Sequence, residues 1–371
     1  MNQSRAANIY IHFPFCLQKC GYCDFYSVTG DMDDMTAYLE ALELELSGSV
    51  FAASPEVEIR SVYIGGGTPS LMPAPLLQKL FVMLRERFTI RNTEITLEAN
   101  PRPDLNSLLP LMKNLGVNRL SLGIQSLSGK ELAFLGRDHT VEDAIRAVQS
   151  ARSAGFENLG ADLIFGLPGQ SLKTWERTLD GILDLPLTHI SAYALTWHTH
   201  SPLGRALVRG EIKPLSDDRT ADQFLLAHKR LEKKGFEHYE VSNFARPGFR
   251  CRHNEDCWTG VSYRGYGPSA HSWDGLRRFW NVANVREYNS RLMNGHSAVA
   301  GEETISPARR RLEKLALGLR RKEGIPLNAV ETARDFSEWG EMGLIRIHKG
   351  HLVLTACGLL LADELTLHLA E

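Results

Sequence analysis

The 371-residue sequence has no long apolar run, no marked excess of charge of one sign, no internal repeat and few cysteines. None of its apolar runs reaches the roughly 20 residues that a membrane-spanning helix needs, so a protein not integral to a membrane is expected. A β-like run at 8–13 begins almost at the start of the chain and leaves no room for a signal peptide. The expected location is therefore the cytoplasm.

The charges of the chain are nearly balanced. Lysine and arginine number 42, aspartate and glutamate number 44, and the formal net charge is −2. This balance gives no general electrostatic case for nucleic acid or an anionic membrane as a partner. The strongest basic clusters, 309–311 and 320–322, lie on a helical pattern and are interpreted as a solvated face, with docking of an acidic partner or a lipid as the less favoured alternative.

Six cysteines in a chain of this length do not make a disulfide framework, and free thiols fit a reducing cytoplasm. Three of them, Cys16, Cys20 and Cys23, form a CxxxCxYC pattern in one short segment. A four-iron cluster normally takes one thiolate on each iron, so three thiolates leave one iron open to bind a small molecule. The alternative is structural zinc, which needs a fourth ligand. The nearest histidine, His12, is separated from Cys16 by Pro14 and two phenylalanines, which disfavours zinc.

Short β-branched runs alternate with amphipathic helical patterns in the first half of the chain. Six βα units in series predict a parallel sheet, because parallel strands need crossover connections. The predicted fold class is α/β, a partial (β/α)6 TIM-like barrel whose site lies at the C-terminal ends of the strands. The predicted strands are 9–12, 62–65, 95–98, 119–124, 160–165 and 190–195, and the predicted helices between them are 33–46, 73–88, 105–115, 140–155 and 171–185.

The pattern changes after about residue 200. A long helix is predicted over 217–234, and an aromatic- and glycine-rich region follows over 238–280. The tail from 306 predicts helices and then a β-hairpin that turns at Lys349-Gly350, an order that resembles a winged helix. The near-neutral charge argues for a substrate cover or a partner surface there rather than for DNA binding. The predicted domains are 1–235 (barrel), 236–300 (connecting region) and 301–371 (mostly helical, winged-helix-like).

Glycines and polar residues recur where the predicted strands end. The second strand runs into a Gly-Gly-Gly-Thr-Pro segment at 65–69, where glycines let the backbone approach a ligand closely, although a plain tight turn is the alternative. Glu98 ends the third strand and can bind ribose hydroxyls, as acids do in dinucleotide sites. Gln125, Arg137 and Asp162 follow, and an arginine suits a carboxylate. Singly each is more often structural, but their regular recurrence predicts one shared ligand site.

These segments together resemble the coproporphyrinogen-oxidase-like branch of the radical S-adenosylmethionine (SAM) proteins, along nearly the whole chain. The segments that carry the resemblance are 10–16, the CxxxCxYC pattern, 65–69, 98–101 and 162–168. Within that branch the haem chaperones are more similar than the oxidases. Phe25 stands where the oxidase pattern has a further cysteine, only fifteen residues precede Cys16, and 238–244, 251–254 and 266–271 resemble the C-terminal half of the chaperones.

The resemblance implies a set of cofactor contacts. Cys16, Cys20 and Cys23 would ligate a 4Fe–4S cluster whose open iron binds SAM, and an electron from the cluster could then cleave SAM to a radical. The contacts implied for this SAM are Tyr10, the backbone at Tyr22 and Gly66, and Glu98. The positions implied for a second SAM are Gly67, Thr68, Gln125, Arg137 and Asp162.

A haem motif, HNxxYW in the family, is implied near the middle of the C-terminal half. The corresponding residues here are His253, Asn254, Cys257 and Trp258. An imidazole is a common axial ligand and an indole packs against a porphyrin, while the alternative for His253 is a hydrogen-bonded loop histidine. Cys257 replaces the family tyrosine and is left open between a thiolate ligand, a tether for the vinyl edge and a small filler. Secondary ligand candidates are His271 and Cys251.

The resemblance implies a cytosolic haem chaperone rather than an enzyme. It would carry the cluster and SAM, bind haem around His253, and pass the haem to apo-haemoproteins such as respiratory enzymes; the sequence does not identify an electron donor. The alternative is an oxygen-independent coproporphyrinogen III oxidase that decarboxylates its substrate through SAM-derived radicals. A less favoured alternative is a radical SAM enzyme that opens the haem ring.

Overall fold

The structure is a computed structural model that describes residues 5–48, 57–330 and 336–370. Its strands are Arg5–Phe13 (β1), Val57–Gly66 (β2), Glu94–Ala99 (β3), Arg119–Gln125 (β4), Asn158–Phe165 (β5), His189–Ala194 (β6), Glu237–Glu240 (β7), Asn243–Ala245 (β8), Ser262–Tyr266 (β9), His271–Trp273 (β10), Arg277–Asn281 (β11), Val299–Thr304 (β12), Ile325–Pro326 (β13), Ile345–His348 (β14) and His351–Leu354 (β15). Its α-helices are Met32–Ser47 (α1), Ala74–Arg87 (α2), Leu105–Asn114 (α3), Gly129–Leu135 (α4), Val141–Ser153 (α5), Leu172–Leu183 (α6), Pro202–Val208 (α7), Asp217–Lys233 (α8), Arg252–Thr259 (α9), Val285–Met293 (α10), Pro307–Leu319 (α11), Ser337–Glu341 (α12), Ala356–Leu359 (α13) and Ala362–Ala370 (α14).

One sheet of 12 strands organises most of the chain, in the order β12-β11-β10-β9-β1-β2-β3-β4-β5-β6-β8-β7. The six strands β1 to β6 are parallel to one another, as the alternating pattern predicted. β9 adds a further parallel neighbour to β1, whereas β8 lies antiparallel to β6. The sheet is open, with β12 and β7 as its end strands in the part of the chain that is described, and Glu240 of β7 forms a further antiparallel bridge with Arg321. The parallel strands therefore form a partial barrel, and the predicted α/β fold class is confirmed.

The helices are fixed by local signals that the sequence carries. Before α5, the Thr140 hydroxyl accepts a hydrogen bond from the Asp143 amide at 3.1 Å, and the Asp143 carboxylate accepts one from the Thr140 amide at 3.0 Å. This reciprocal capping box satisfies amides that the first helical turn leaves free. Ala144, Val148 and Ala151 then bury one face of α5 in the main core. Capping and apolar spacing thus agree on where this helix begins and which side faces the sheet.

The C-terminal segment has its own small core. α11, β13, α12 and the hairpin β14–β15 follow one another, with the strands ordered β13-β15-β14, and the winged-helix assignment of this segment stays a prediction. Lys349 and Gly350 turn the hairpin with φ of 49° and 75°, the left-handed pair that a two-residue turn requires. No element is predicted after residue 355, yet α14 packs on α11, and its Leu365 and Leu369 belong to the same hydrophobic core as Leu315. The boundaries between the three predicted domains stay a prediction.

None of the helices in the described ranges combines the length with the apolar character that crossing a membrane requires.

Candidate functional site

A cavity of about 450 Å³ opens at the C-terminal ends of the parallel strands. Its walls come from the loop after β1 and from the ends of β2 to β6, where the sequence predicts the site. The predicted site residues that line it are Cys16, Cys20, Tyr22, Cys23, Gly66, Gly67, Thr68, Glu98, Gln125, Arg137, Asp162 and Asn254. Tyr10, His253, Cys257, Trp258, Cys251 and His271 are not in its lining.

The cysteine loop after β1 is tied to the glycine loop after β2 through backbone hydrogen bonds. The Gly67 amide donates to the Phe13 carbonyl at 2.7 Å, and the Thr68 amide donates to the Phe15 carbonyl at 2.8 Å. Because Cys16 directly follows Phe15, the glycine loop fixes the start of the cysteine loop. The two segments that the sequence marks as cofactor-binding are therefore one structural unit.

The three loop cysteines are partly exposed free thiols that face the same cavity. The Thr68 hydroxyl donates to Cys16 Sγ at 3.5 Å, and Arg137 Nη1 donates to Cys20 Sγ at 3.3 Å. Such donors stabilise thiolates, the form that ligates metal. Within the described ranges, no three His, Cys, Asp or Glu side chains converge on one metal position. A four-iron cluster takes each thiolate on a different iron, so this donor set fits it.

The Glu98 carboxylate is held beneath the glycine loop. The Tyr63 hydroxyl donates to Oε1 at 2.8 Å, and the Gly66 amide donates to Oε2 at 3.2 Å. A Cβ on Gly65 would lie 2.8 Å from the Glu98 carboxyl carbon, so the loop passes the carboxyl group at a distance that only glycine permits. Burial, and then the nearby Asp162 carboxylate, raise the pKa of Glu98 to about 7.

The raised pKa of Glu98 predicts how the free energy of unfolding depends on pH. In the folded protein Glu98 binds its proton more tightly than the unfolded chain does, so its favourable contribution to the free energy of unfolding is complete below about pH 4.5 and is lost as the pH rises through about 7. The Glu98→Gln variant is expected to flatten this decline by about 3 kcal/mol, since the pKa rises from 4.5 to about 7 and one pKa unit corresponds to about 1.4 kcal/mol. Denaturant unfolding of the metal-free protein at several pH values measures it.

Tyr63→Phe is the matched variant for that experiment. Removing the hydroxyl takes away a donor that stabilises the ionised Glu98 carboxylate, so the decline in stability is expected to extend to higher pH. A Glu98→Gln profile parallel to that of the wild type would contradict the raised pKa.

Arg137 crosses the cavity between the cysteine loop and β4. Besides its bond to Cys20, its Nη2 donates to Asn100 Oδ1 at 2.6 Å and to the Gly123 carbonyl at 2.9 Å. Gln125 ends β4 with a φ of 68°, a left-handed conformation that is costly for a residue with a side chain. Such conformations persist where the surrounding structure enforces them, often at ligand sites. The β4 end is thus held in a specific shape around the cavity.

Sequence reasoning missed the residues on the cavity floor. Arg119 and Ser121 of β4 line it, and the Ser121 hydroxyl lies 3.2 Å from each carboxylate oxygen of Asp162. Arg119 is only 1% exposed, and its Nε and Nη1 have no hydrogen-bond partner among the described residues. The sequence does carry a signal for both residues. Arg119 and Ser121 alternate with Leu120 and Leu122, and alternate residues of a strand face the same side of the sheet.

Two predicted residues lie behind the cavity wall instead of in its lining. The Tyr10 hydroxyl is 3.0 Å from His12 Nδ1, and the His253 Nδ1 is 2.8 Å from Ser61 Oγ. The His253 ring lies 5.0 Å from the Tyr63 ring and is 8% exposed as a residue. Burial lowers the pKa of His253 to about 3, so the imidazole is neutral at physiological pH. His253 is thus a buried, hydrogen-bonded histidine in this structure.

The rest of the predicted haem motif is dispersed around α9. Asn254 faces the cavity, while Cys257 and Trp258 are half-buried outside its lining. Cys251 is fully buried with its thiol against Glu94, and His271 stacks on Trp280 with ring centroids 5.9 Å apart. The structure therefore does not bring these residues together as one site, and their roles toward haem stay predictions.

The comparisons with known proteins agree with this geometry. The family model described as the radical SAM superfamily matches residues 10–182. The solved structure of coproporphyrinogen III oxidase (HemN) from Escherichia coli, a radical SAM enzyme, superposes with a TM-score of 0.82 over 98% of this chain and 90% of that one, at 22% identity. At that identity the match shows the fold. The family-model match, together with the relatives described next, places this chain among the radical SAM proteins.

Relatives that match nearly the whole chain identify its family within the radical SAM proteins. The heme chaperone HemW of Mycobacterium tuberculosis is 37% identical over 364 residues, which cover 96% of this chain and 92% of the relative. HemW of Bacillus subtilis is 31% identical over 367 residues, which cover 96% and 97%. The chain belongs to the HemW family of the HemN-like radical SAM proteins, and the resemblance seen in the sequence is confirmed.

Proposed function

We propose that this protein is a haem chaperone that carries a 4Fe–4S cluster and SAM, binds haem and passes it to apo-haemoproteins. The observation that carries the proposal is the similarity to two proteins named heme chaperones over 96% of the chain. Phe25 supports it, because it stands where the oxidase pattern has an additional cysteine. The expected setting is the cytoplasm, and respiratory enzymes are among the expected acceptors.

The cysteine loop would hold the cluster. Cys16, Cys20 and Cys23 supply the three thiolates, and the bound cluster supplies an open iron for SAM and a one-electron reductant. Arg137 and Thr68 donate hydrogen bonds to two of the three sulfurs. These contacts stabilise the negative charge that the thiolates bring into a partly buried site.

The residues around Glu98 would orient SAM. The Glu98 carboxylate is anchored by Tyr63 and Gly66, so it can accept hydrogen bonds from ribose hydroxyls without reorganising. The backbone at Tyr22 and Gly66 lines the same space. Tyr10 is absent from the cavity lining, so a direct contact with SAM is kept as a prediction only.

A second SAM would use Gly67, Thr68, Gln125, Arg137 and Asp162, which line the same cavity. The Arg137 guanidinium already donates to Cys20, Asn100 and the Gly123 carbonyl. The carboxylate of a second SAM would therefore compete with these acceptors for the N–H groups of the Arg137 guanidinium. We propose this site as the weaker of the two.

The proposal is tested on anaerobically reconstituted protein loaded with haem. The protein is mixed with apomyoglobin as a probe acceptor, and haem transfer is followed by the change in the Soret absorption, with haem-loaded serum albumin as the passive control. Transfer faster than from albumin, with no conversion of coproporphyrinogen III in the presence of SAM and reductant, is the expected result. Repeated decarboxylation of coproporphyrinogen with consumption of SAM would instead support the oxidase function, which the HemN-like fold also permits.

A further inference from the structure

Arg119 is a buried cation on the floor of the cavity. It belongs to β4 and is only 1% exposed, yet it is part of the cavity lining. Its Nε and Nη1 have no hydrogen-bond partner among the described residues. Burying a charged group is costly unless a partner replaces the water that it loses. The floor therefore holds unused donors that a ligand in the cavity can satisfy.

The acids that interact electrostatically with Arg119 are already engaged by other donors. Glu94 accepts hydrogen bonds from two backbone amides at the start of α9, at 3.0 and 3.2 Å. Glu98 is held by a tyrosine hydroxyl and a glycine amide, and Asp162 by the Ser121 hydroxyl. These carboxylates thus leave Nε and Nη1 of Arg119 without an acceptor, and a further acceptor has to come from a ligand.

The surroundings of Arg119 select a carboxylate among the possible anions. Hydroxyl groups from β2, β4 and β6 also line the cavity, on the residues Tyr63, Ser121, Ser191 and Tyr193. Guanidinium and hydroxyl groups both donate hydrogen bonds to carboxylate oxygens, and arginine does so with particular strength. Because Glu98 and Asp162 line the same cavity, a singly charged group enters at a lower electrostatic cost than a doubly charged phosphate.

The floor also lies close to α9, the helix that carries the haem motif. Asn254 of α9 lines the cavity. Burial first, and then the nearby Arg119 guanidinium, lower the pKa of His253 to about 3, so the cation and the motif histidine are neighbours. A haem bound on α9 would therefore bring its propionate groups toward Arg119.

Resting on the proposed function, we propose that Arg119 is the binding site for a carboxylate of the ligand that occupies the cavity. Haem carries such a group in its propionates, and SAM carries one in its methionine part. The proximity of α9 favours the haem propionate. An ion pair at this position would satisfy the buried guanidinium and would fix the orientation of the haem edge relative to α9.

The test compares each ligand with an analogue that lacks the carboxylate, on the anaerobically reconstituted full-length protein. Haem is compared with haem dimethyl ester in one detergent-containing buffer by Soret titration, and SAM is compared with decarboxylated SAM by calorimetry. The wild type is expected to bind haem at least about tenfold more tightly than the ester, because the ester cannot pair with a buried cation. Arg119→Gln should bind haem and the ester about equally.

Two further variants control for the burial of this side chain. Arg119→Lys keeps the charge with fewer donors, so it should recover part of the preference for haem over the ester. Arg177→Gln removes an exposed arginine of α6 outside the cavity lining and should keep the whole preference. Thermal unfolding and iron content of the unloaded variants show whether each keeps the fold and the cluster.

The outcomes separate the two sources of the carboxylate. If Arg119→Gln lowers only the preference for SAM over decarboxylated SAM, the carboxylate site stands and its occupant is SAM. Preferences that stay at the wild-type values for both ligands overturn the proposal. Equal affinity of the wild type for haem and its ester excludes the propionate without any variant. Failure of the wild type to bind haem would instead contradict the proposed function.

Discussion

Replacing Cys20 with alanine is expected to abolish assembly of the four-iron cluster and to leave the fold intact. Cys20 is one of three thiols at the cavity, and the cluster has no spare protein ligand once its fourth iron is reserved for SAM. The residue lies in a loop outside the hydrophobic core, so the change in unfolding free energy should stay within about 1 kcal/mol. Iron and acid-labile sulfide content after anaerobic reconstitution, with the visible charge-transfer absorption, measure the effect.

Two further variants sharpen this experiment. Cys357→Ala removes an exposed thiol on α13, outside the cavity lining, and is expected to reconstitute like the wild type. Cys20→Ser keeps the size of the side chain but replaces the thiolate with a poorer ligand, so it should resemble Cys20→Ala. Wild-type iron content in Cys20→Ala would remove Cys20 from the ligand set, whereas loss of iron in Cys357→Ala would show that the effect is not specific to the loop thiols.

The barrel could be predicted from the sequence because its signals are local. The six predicted strands overlap β1 to β6, and the capping residues of α5 and the Lys349-Gly350 turn stand where predicted. The pairing of β9 with β1, and of β8 with β6, was not predicted. Those pairs join segments about 255 and about 50 residues apart in the chain, and periodicity within a segment says nothing about which edge it joins.

The same difference between local signals and long-range contacts explains which parts of the candidate site could be predicted. Residues at strand ends were predicted to meet because the C-terminal ends of parallel strands share one edge. The haem motif fails to meet as a unit because adjacent residues of a helix point in different directions: Asn254 of α9 faces the cavity, and His253 faces Ser61 of β2.

Replacing Gly67 with alanine is expected to destabilise the protein and to lower its iron content together. A Cβ at this position would lie 2.5 Å from the Phe15 carbonyl oxygen and 2.8 Å from that of Phe13. Both contacts are with backbone, so the strain cannot be relieved by rotating a side chain, and the Gly67–Phe13 hydrogen bond holds the two loops at this distance. The expected cost is roughly 1–3 kcal/mol, the range for overpacking a well-packed site.

The same strain should reach the cluster, because Phe15 directly precedes Cys16 and any shift that accommodates the methyl group moves the first thiol.

Gly129→Ala is the matched control: a Cβ on this first residue of α4 has no neighbour within 4 Å, so the added methyl group should be neutral or slightly stabilising. Thermal unfolding and iron content are measured on both variants. A Gly67→Ala protein that loses stability but binds iron like the wild type would show that the glycine loop does not position the cysteine loop. Unchanged stability would show that the backbone yields to the methyl group at little cost.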